Sequence, residues 1–265
     1  MPADVAAAAR RSPASAQRAS LYDLRSHARI WPVAVIGLAV DLWSKDLAFR
    51  HLSADQPVVL IPHVLSLRKV VNPGAMLGLG QGLGLLFMVA SILALLFVVY
   101  LFAHSDPSRR SLHVGLGLVL AGALGNLYDR TFHVADAVWG PPPETVRLLK
   151  GDRILLCGKL IRENTNTWVL GDYPDGENPQ TVPKSAGRHV RPTPVVRDFI
   201  KVDVKIGSFE LWRWVFNVAD SLLVVGVGLL LINFWTEQRK TGKRALSATQ
   251  APCEAQSVSG DESST

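Results

Sequence analysis

The sequence predicts an integral membrane protein: an all-α four-helix transmembrane bundle carrying a small extracytoplasmic β-sheet and a β-rich extracytoplasmic insertion. Three observations support this class. The apolar residues, 48% of the chain, are clumped into four runs rather than spread over a soluble core. Lys and Arg gather beside those runs, so much of the net charge of +6 reads as membrane orientation. The two long segments between runs, 50–82 and 130–217, contain strand-like tracts punctuated by Gly, Pro, Asn and Asp. No basic groove interleaved with aromatics is visible, which sets nucleic-acid binding aside.

Taken in order, residues 1–29 are rich in Ala, Ser and Arg (Arg10, Arg11, Arg18, Arg25, Arg29) without apolar period, and read as a disordered basic cytoplasmic tail. The first span is expected at about 30–49. It carries Asp41, Lys45 and Asp46, which the core of a cleaved signal peptide would not tolerate. Within 50–82, Val58–Ile61 and Val64–Val71 read as strands and Asn72-Pro73-Gly74 as a turn. The second span, about 83–103 (LGLLFMVASILALLFVVYLFA), has no charge at all. The third, about 112–128, carries Gly115, Gly117, Gly122 and Gly125, which permit close helix packing.

Segment 130–217 is too long for a simple connection. Arg153–Ile161 and Thr167–Leu170 read as strands, and 140–195 as an extracytoplasmic insertion. The fourth span is expected at about 218–235, followed by a polar cytoplasmic tail at 239–265. A membrane unit is thus expected in two parts, 30–139 and 196–238. The tail, the Arg109-Arg110 loop and the flank with Arg239, Lys240, Lys243 and Arg244 share one side, which the positive-inside rule makes cytoplasmic. Cys157 and Cys253 then lie on opposite sides, excluding a disulfide framework and a Cys-based metal site. Leu156 precedes Cys157 where a lipid-modified cysteine needs a small residue, so Cys157 reads as an ordinary buried residue.

On that topology the polar groups converge on the outer leaflet. Asp129 ends the third span and Asp220 opens the fourth. Asp41 lies about 17 Å into the first by helical rise, and Asn72 sits in the first outer loop. Asp198 precedes Asp220 by 22 residues and can fold back to meet it. Two carboxylates in contact at low dielectric do not both ionise: one keeps a proton while the other activates water. No His/Cys cluster has metal-ligand spacing and no Gly-x-Ser-x-Gly occurs, so paired aspartates are the hydrolytic chemistry that remains. Each group also has a local reading. Asp220 could only complement a helix dipole, Asp129 with Arg130 could anchor a span, and Asp41 with Lys45 could be a self-satisfied pair. Asn72 could serve only the turn, and Asp198 could be a solvated charge. A small transporter, or a non-catalytic anchor for the 140–195 domain, stays open on these residues alone.

The motifs together resemble the type II, or lipoprotein, signal peptidases of bacteria. They are Asp41-Leu-Trp-Ser-Lys45, Asn72-Pro-Gly74-Ala75, Gly125-Asn126-Leu-Tyr-Asp129-Arg130, Val196-Arg-Asp198-Phe199 and Phe216-Asn217-Val-Ala219-Asp220. The resemblance covers about 30–130 and 195–235. It implies a membrane aspartyl endopeptidase with an extracytoplasmic β-sheet cradle, cleaving prolipoproteins before a diacylglyceryl-modified cysteine. It implies Asp198 and Asp220 as the catalytic pair. Asn72, Gly74, Asn126, Arg130 and Asn217 become supports for the pair and substrate, and Asp129, Asp41 and Lys45 structural groups. It further implies no metal or organic cofactor, prolipoprotein substrates, contact with membrane lipids, a monomer, and a bacterial inner-membrane location with both termini cytoplasmic. There are two departures. Sixty-seven residues separate Arg130 from Asp198, where the family has only a few; this makes Asp136, in Val134-Ala-Asp136-Ala137, a second candidate for the first aspartate. Asp198 is preferred because Phe199 follows it and its distance to Asp220 suits the family. Met76-Leu77 also stands where an aromatic is common.

Overall fold

The computed structural model describes residues 20–74, 84–141 and 153–249. The expected tails within 1–19 and 250–265, Met76-Leu77 and Cys253 lie outside the described residues. Four long helices are present: α1 Leu24–His51, α2 Gly84–Ala103, α3 Arg110–Phe132 and α4 Val218–Thr249. Asp23 caps α1, its Oδ2 accepting from Ser26 N and Ser26 Oγ, each at 2.8 Å. α3 runs through the middle of the bundle, packed on α1, α2 and α4, with a core of Ile30, Ala34, Val98, Phe102, Leu116 and Leu120. Its glycines make this possible. A Cβ at Gly122 would stand 2.4 Å from Ala219 O, so only hydrogen lets α3 and α4 approach this closely.

The all-α four-helix transmembrane expectation is overturned on two counts. First, eleven strands run through the described residues. One antiparallel sheet, in the order β1-β2-β8-β11, is formed by Val58–Ile61, Leu65–Asn72, Val196–Val202 and Val215–Phe216. A five-stranded sheet, β6-β5-β4-β3-β7, is formed by Gln180–Pro183, Thr167–Gly171, Arg153–Glu163, Val134–Gly140 and His189–Pro194. A short hairpin pairs β9 Lys205–Ile206 with β10 Phe209–Glu210. Second, among the described residues three helical stretches rather than four are long and apolar enough to cross a membrane: Leu85–Ala103, Arg110–Phe132 and Val218–Arg239, with mean hydropathies of 2.9, 1.4 and 2.0. α1 falls short because Asp41, Lys45 and Asp46 interrupt its apolar run; Asp41 and Lys45 are wholly buried against its neighbours. α4 also continues to Thr249, past the expected start of the tail, because Lys, Arg, Ala and Leu sustain a helix.

The five-stranded sheet has its own small core of Val138, Trp168 and Leu170. It grows directly from the helices. β3 begins two residues after α3 ends, and β7 pairs with β3 so that Val134 faces Pro194. Val195 N donates to His133 O at 3.0 Å, closing the stem. The long excursion between Arg130 and Asp198 therefore returns to where it left. Cys157 lies half-buried in this sheet, its thiol pushed up to about 12 by burial and then by Asp136, which leaves it protonated and unreactive at neutral pH.

Candidate active site

The site is assembled where α4 begins. Asn217 is the N-cap residue: its Oδ1 accepts from Asp220 N at 2.9 Å, and Asp220 Oδ2 accepts from Asn217 N at 3.2 Å. This reciprocal cap fixes Asp220 at the third helical position, within the positive end of the helix field. A further free donor of that first turn, Ala219 N, is taken by Asp41 Oδ1 at 2.7 Å, so α1 also holds the start of α4.

Asp198 arrives from β8, which pairs with β2 in a register that sets Val70 opposite Asp198 and Asn72 opposite Val196. Asn72 Nδ2 donates to Asp198 Oδ2 at 2.8 Å, and Asn217 Nδ2 donates to Asp198 Oδ1 at 2.7 Å. Asn217 Nδ2 also reaches Asn126 Oδ1 at 3.2 Å, while Asn126 Nδ2 donates to Asp220 Oδ1 at 2.8 Å. Two amides thus tie the two carboxyls into one network. Asp198 is 1% exposed. Burial, and next the neighbouring charge of Asp220, push its carboxyl up to about 8, so Asp198 keeps its proton at neutral pH.

Beneath the pair lies a buried ionic layer. Lys45 Nζ meets Asp41 Oδ2 at 2.8 Å, Asp129 Oδ2 at 3.3 Å and Asn126 Oδ1 at 3.2 Å. Arg197 Nη2 and Nε bind Asp129 Oδ1 at 2.8 and 3.1 Å, and Arg197 N binds Asp129 Oδ2 at 3.0 Å. Two acids and two bases cancel in charge, as burial demands. Gly125 makes room for this layer: a Cβ there would stand 2.3 Å from Asp41 Oδ2. Arg130 Nη2 donates to Gly74 O at 3.3 Å and its guanidinium lies over the Phe87 ring at 5.4 Å; Gly74 N donates to Asn72 Oδ1 at 3.0 Å.

The structure therefore brings together Asp41, Lys45, Asn72, Gly74, Asn126, Asp129, Arg130, Asp198, Asn217 and Asp220. It does not bring in Asp136, which lies on β3 with its Oδ2 accepting from Leu160 N at 2.9 Å. Sequence reasoning assigned no role to Arg197, although it sits inside the Val196–Phe199 motif. It also missed an apolar cavity of about 370 Å³ lined by Val202, Trp212, Phe216, Val224 and Val225, with Asp220 in its wall. Phe216 beside Asn217 was the available signal.

A family model described as signal peptidase (SPase) II matches residues 33–236, a span that includes every group of this cluster. The chain belongs to the signal peptidase II family. It is accordingly an enzyme, an aspartic-class peptidase with membrane-crossing helices. Among its relatives, the lipoprotein signal peptidase of Desulfitobacterium hafniense is 28% identical over 214 residues, covering 81% of this chain and 97% of the relative. That of Rhodopirellula baltica is 28% identical over 223 residues, covering 82% and 76%. That of Rhodococcus jostii is 34% identical over 158 residues, covering 56% and 75%. A solved bacterial membrane enzyme shares the fold at a TM-score of 0.50 and 21% identity, over 78% of this chain and 87% of that one.

Proposed function

We propose that the enzyme removes signal peptides from diacylglyceryl-modified bacterial prolipoproteins, cleaving before the lipidated cysteine, with Asp198 and Asp220 as the catalytic pair. One observation carries this reading: two carboxyls from separate elements, β8 and α4, share an amide network beside an apolar cavity with Asp220 in its wall. In the reaction the ionised member takes a proton from water as the oxygen attacks the scissile carbonyl. The protonated member supplies a proton to the carbonyl oxygen and, on collapse, the pair delivers one to the leaving amine. Asn72, Asn126 and Asn217 hold the two carboxyls in register. Arg130, tied to Gly74 O, borders the pair as a substrate-positioning cation, and Asp41, Lys45 and Asp129 hold the layer below.

The reading extends to location. The basic flanks support both termini on the cytoplasmic side of the inner membrane and the pair at the outer leaflet, where a lipid-anchored substrate presents its cleavage site. Residues 30–139 and 196–238 form the peptidase unit, acting as a monomer, with 140–195 as an extracytoplasmic insertion. Purified protein in detergent should cleave a diacylglyceryl-modified prolipoprotein. Asp198→Asn and Asp220→Asn should each lower turnover about 10²- to 10⁴-fold with folding intact, while Asp136→Asn should cleave normally. Loss of turnover with Asp136→Asn but not Asp198→Asn would transfer the role, and a folded wild type without cleavage would end the proposal.

A further inference from the structure

The turn between β5 and β6 leaves the five-stranded sheet and touches the peptidase body. It is internally braced: Asp172 N donates to Glu177 O and Gly176 N to Asp172 O, both at 2.7 Å, and Asn178 Nδ2 donates to Asp172 Oδ2 at 2.8 Å. Two side chains of this stiff turn reach across. Tyr173 packs against Ala48, Phe49, Leu52 and Phe199, and its hydroxyl meets His133 Nδ1 at 3.0 Å. Asp175 meets Lys69 Nζ at 3.3 Å. A cavity of about 260 Å³ lies between the turn and Asp46, Phe49 and Arg50 of α1, so the contact is made by discrete pins rather than a sealed interface.

Both pins end on residues linked to the strand pairing that carries Asp198. Lys69 is 8% exposed and sits in the β2 bulge, next to Val70, the register partner of Asp198. A lysine buried this far needs an acid, and the insertion supplies it. His133 Nε2 stands 3.8 Å from Asp129 Oδ1, the oxygen that also receives Arg197. The other ring nitrogen, Nδ1, shares its hydrogen bond with the Tyr173 hydroxyl. Arg197 is the residue before Asp198.

We infer that Tyr173 and Asp175 of the insertion are positioning residues for the peptidase, holding Asp198 through His133–Asp129–Arg197 on one side and through Lys69 on the other. The insertion is thereby a working part of the site. The inference rests on the reading of Asp198 and Asp220 as the catalytic pair. The groups facing His133 are Asp129 from α3, Arg197 from β8, Lys45 and Asp46 from α1, and Tyr173 from the turn. Burial favours the neutral form of His133. Removing the Tyr173 hydroxyl takes away the partner of Nδ1 and changes where the ring protonates, and a protonated ring competes with Arg197 for Asp129.

The test is steady-state cleavage of diacylglyceryl-modified prolipoprotein by the full chain in detergent, over pH 5–9. Tyr173→Phe keeps the ring and should lower kcat about three- to tenfold, leave KM unchanged, and displace the acid limb of kcat. Asp175→Asn should lower kcat similarly, and Asp175→Glu should restore it. Wild-type kcat and pH profile in Tyr173→Phe and Asp175→Asn, with Asp198→Asn inactive, would overturn the positioning role alone. A rise in KM without loss of kcat would overturn it too. Retained cleavage in Asp198→Asn and Asp220→Asn would instead overturn the catalytic pair.

Discussion

A carboxyl with almost no water around it keeps its proton, and Asp198 is in that position. On the proposed pairing, its carboxyl, raised to about 8 by burial and by Asp220, sets the alkaline limb of the reaction: above that pH Asp198 has lost the proton it would deliver. Turnover is therefore expected to fall as pH rises through about 8, read from kcat/KM on the lipidated substrate. The same shift acts on stability. The folded state holds this proton where the unfolded chain has released it, so the stabilising contribution is complete below the ordinary carboxylate range and declines as pH rises toward 8. Asp198→Asn has no charge to desolvate. It should unfold at a higher temperature than wild type at pH 9, with the gap closing toward pH 5, in thermal melts in detergent. A variant destabilised equally at all pH values would show that burial of the charge is not what strains the site. At this scale the motifs named the residues that the structure gathers; Asp136 stands apart from them, its carboxylate accepting from the backbone of Leu160, 24 residues on in the next strand.

Helices and strands carry these residues to each other by close approach, which a single chain pattern shows only in part. The glycines of α3 were legible as a packing face, yet not what they pack against: at Gly125 it is the Asp41 carboxylate and at Gly122 the α4 backbone. Gly125→Ala should separate α1 from α3 and loosen the Lys45 pairs. The expected result is a loss of about 1–3 kcal/mol of stability from overpacking and reduced turnover, checked by melting and by cleavage. The charges of α1 were visible, but not their partners, because Asn126 and Asp129 lie on α3 and Ala219 N on α4. At the head of α4, Asn217 caps the helix and donates to both Asp198 and Asn126. Asn217→Ala should cost about 1 kcal/mol of helix capping, with a larger proportional loss of turnover; a loss confined to stability would reduce Asn217 to a cap.

The whole molecule depends on a return path that sequence distance conceals. Strand signals at Val58–Ile61, Arg153–Ile161 and Thr167–Leu170 were readable from their composition, whereas β3 and β7 were not. β7 carries Pro192 and Pro194, and its pairing with β3 is fixed by the sheet rather than by local propensity. Yet that pair closes the stem at His133 and Val195 and delivers Arg197 to Asp129. Arg197 is consequently the residue through which strand β8, helix α3 and, by way of Lys45, helix α1 are joined. Replacing it with Met keeps much of the stem volume but leaves Asp129 with one buried lysine shared with Asp41. Removing one partner of a buried ion pair typically costs about 3–5 kcal/mol. Arg197→Met should therefore melt far below wild type while the isolated five-stranded core, which contains none of these charges, stays protected in hydrogen exchange. If the helices and the four-stranded sheet instead remain as protected as in wild type, the ionic layer orients Asp198 without holding the fold together. The loss would then appear in kcat alone.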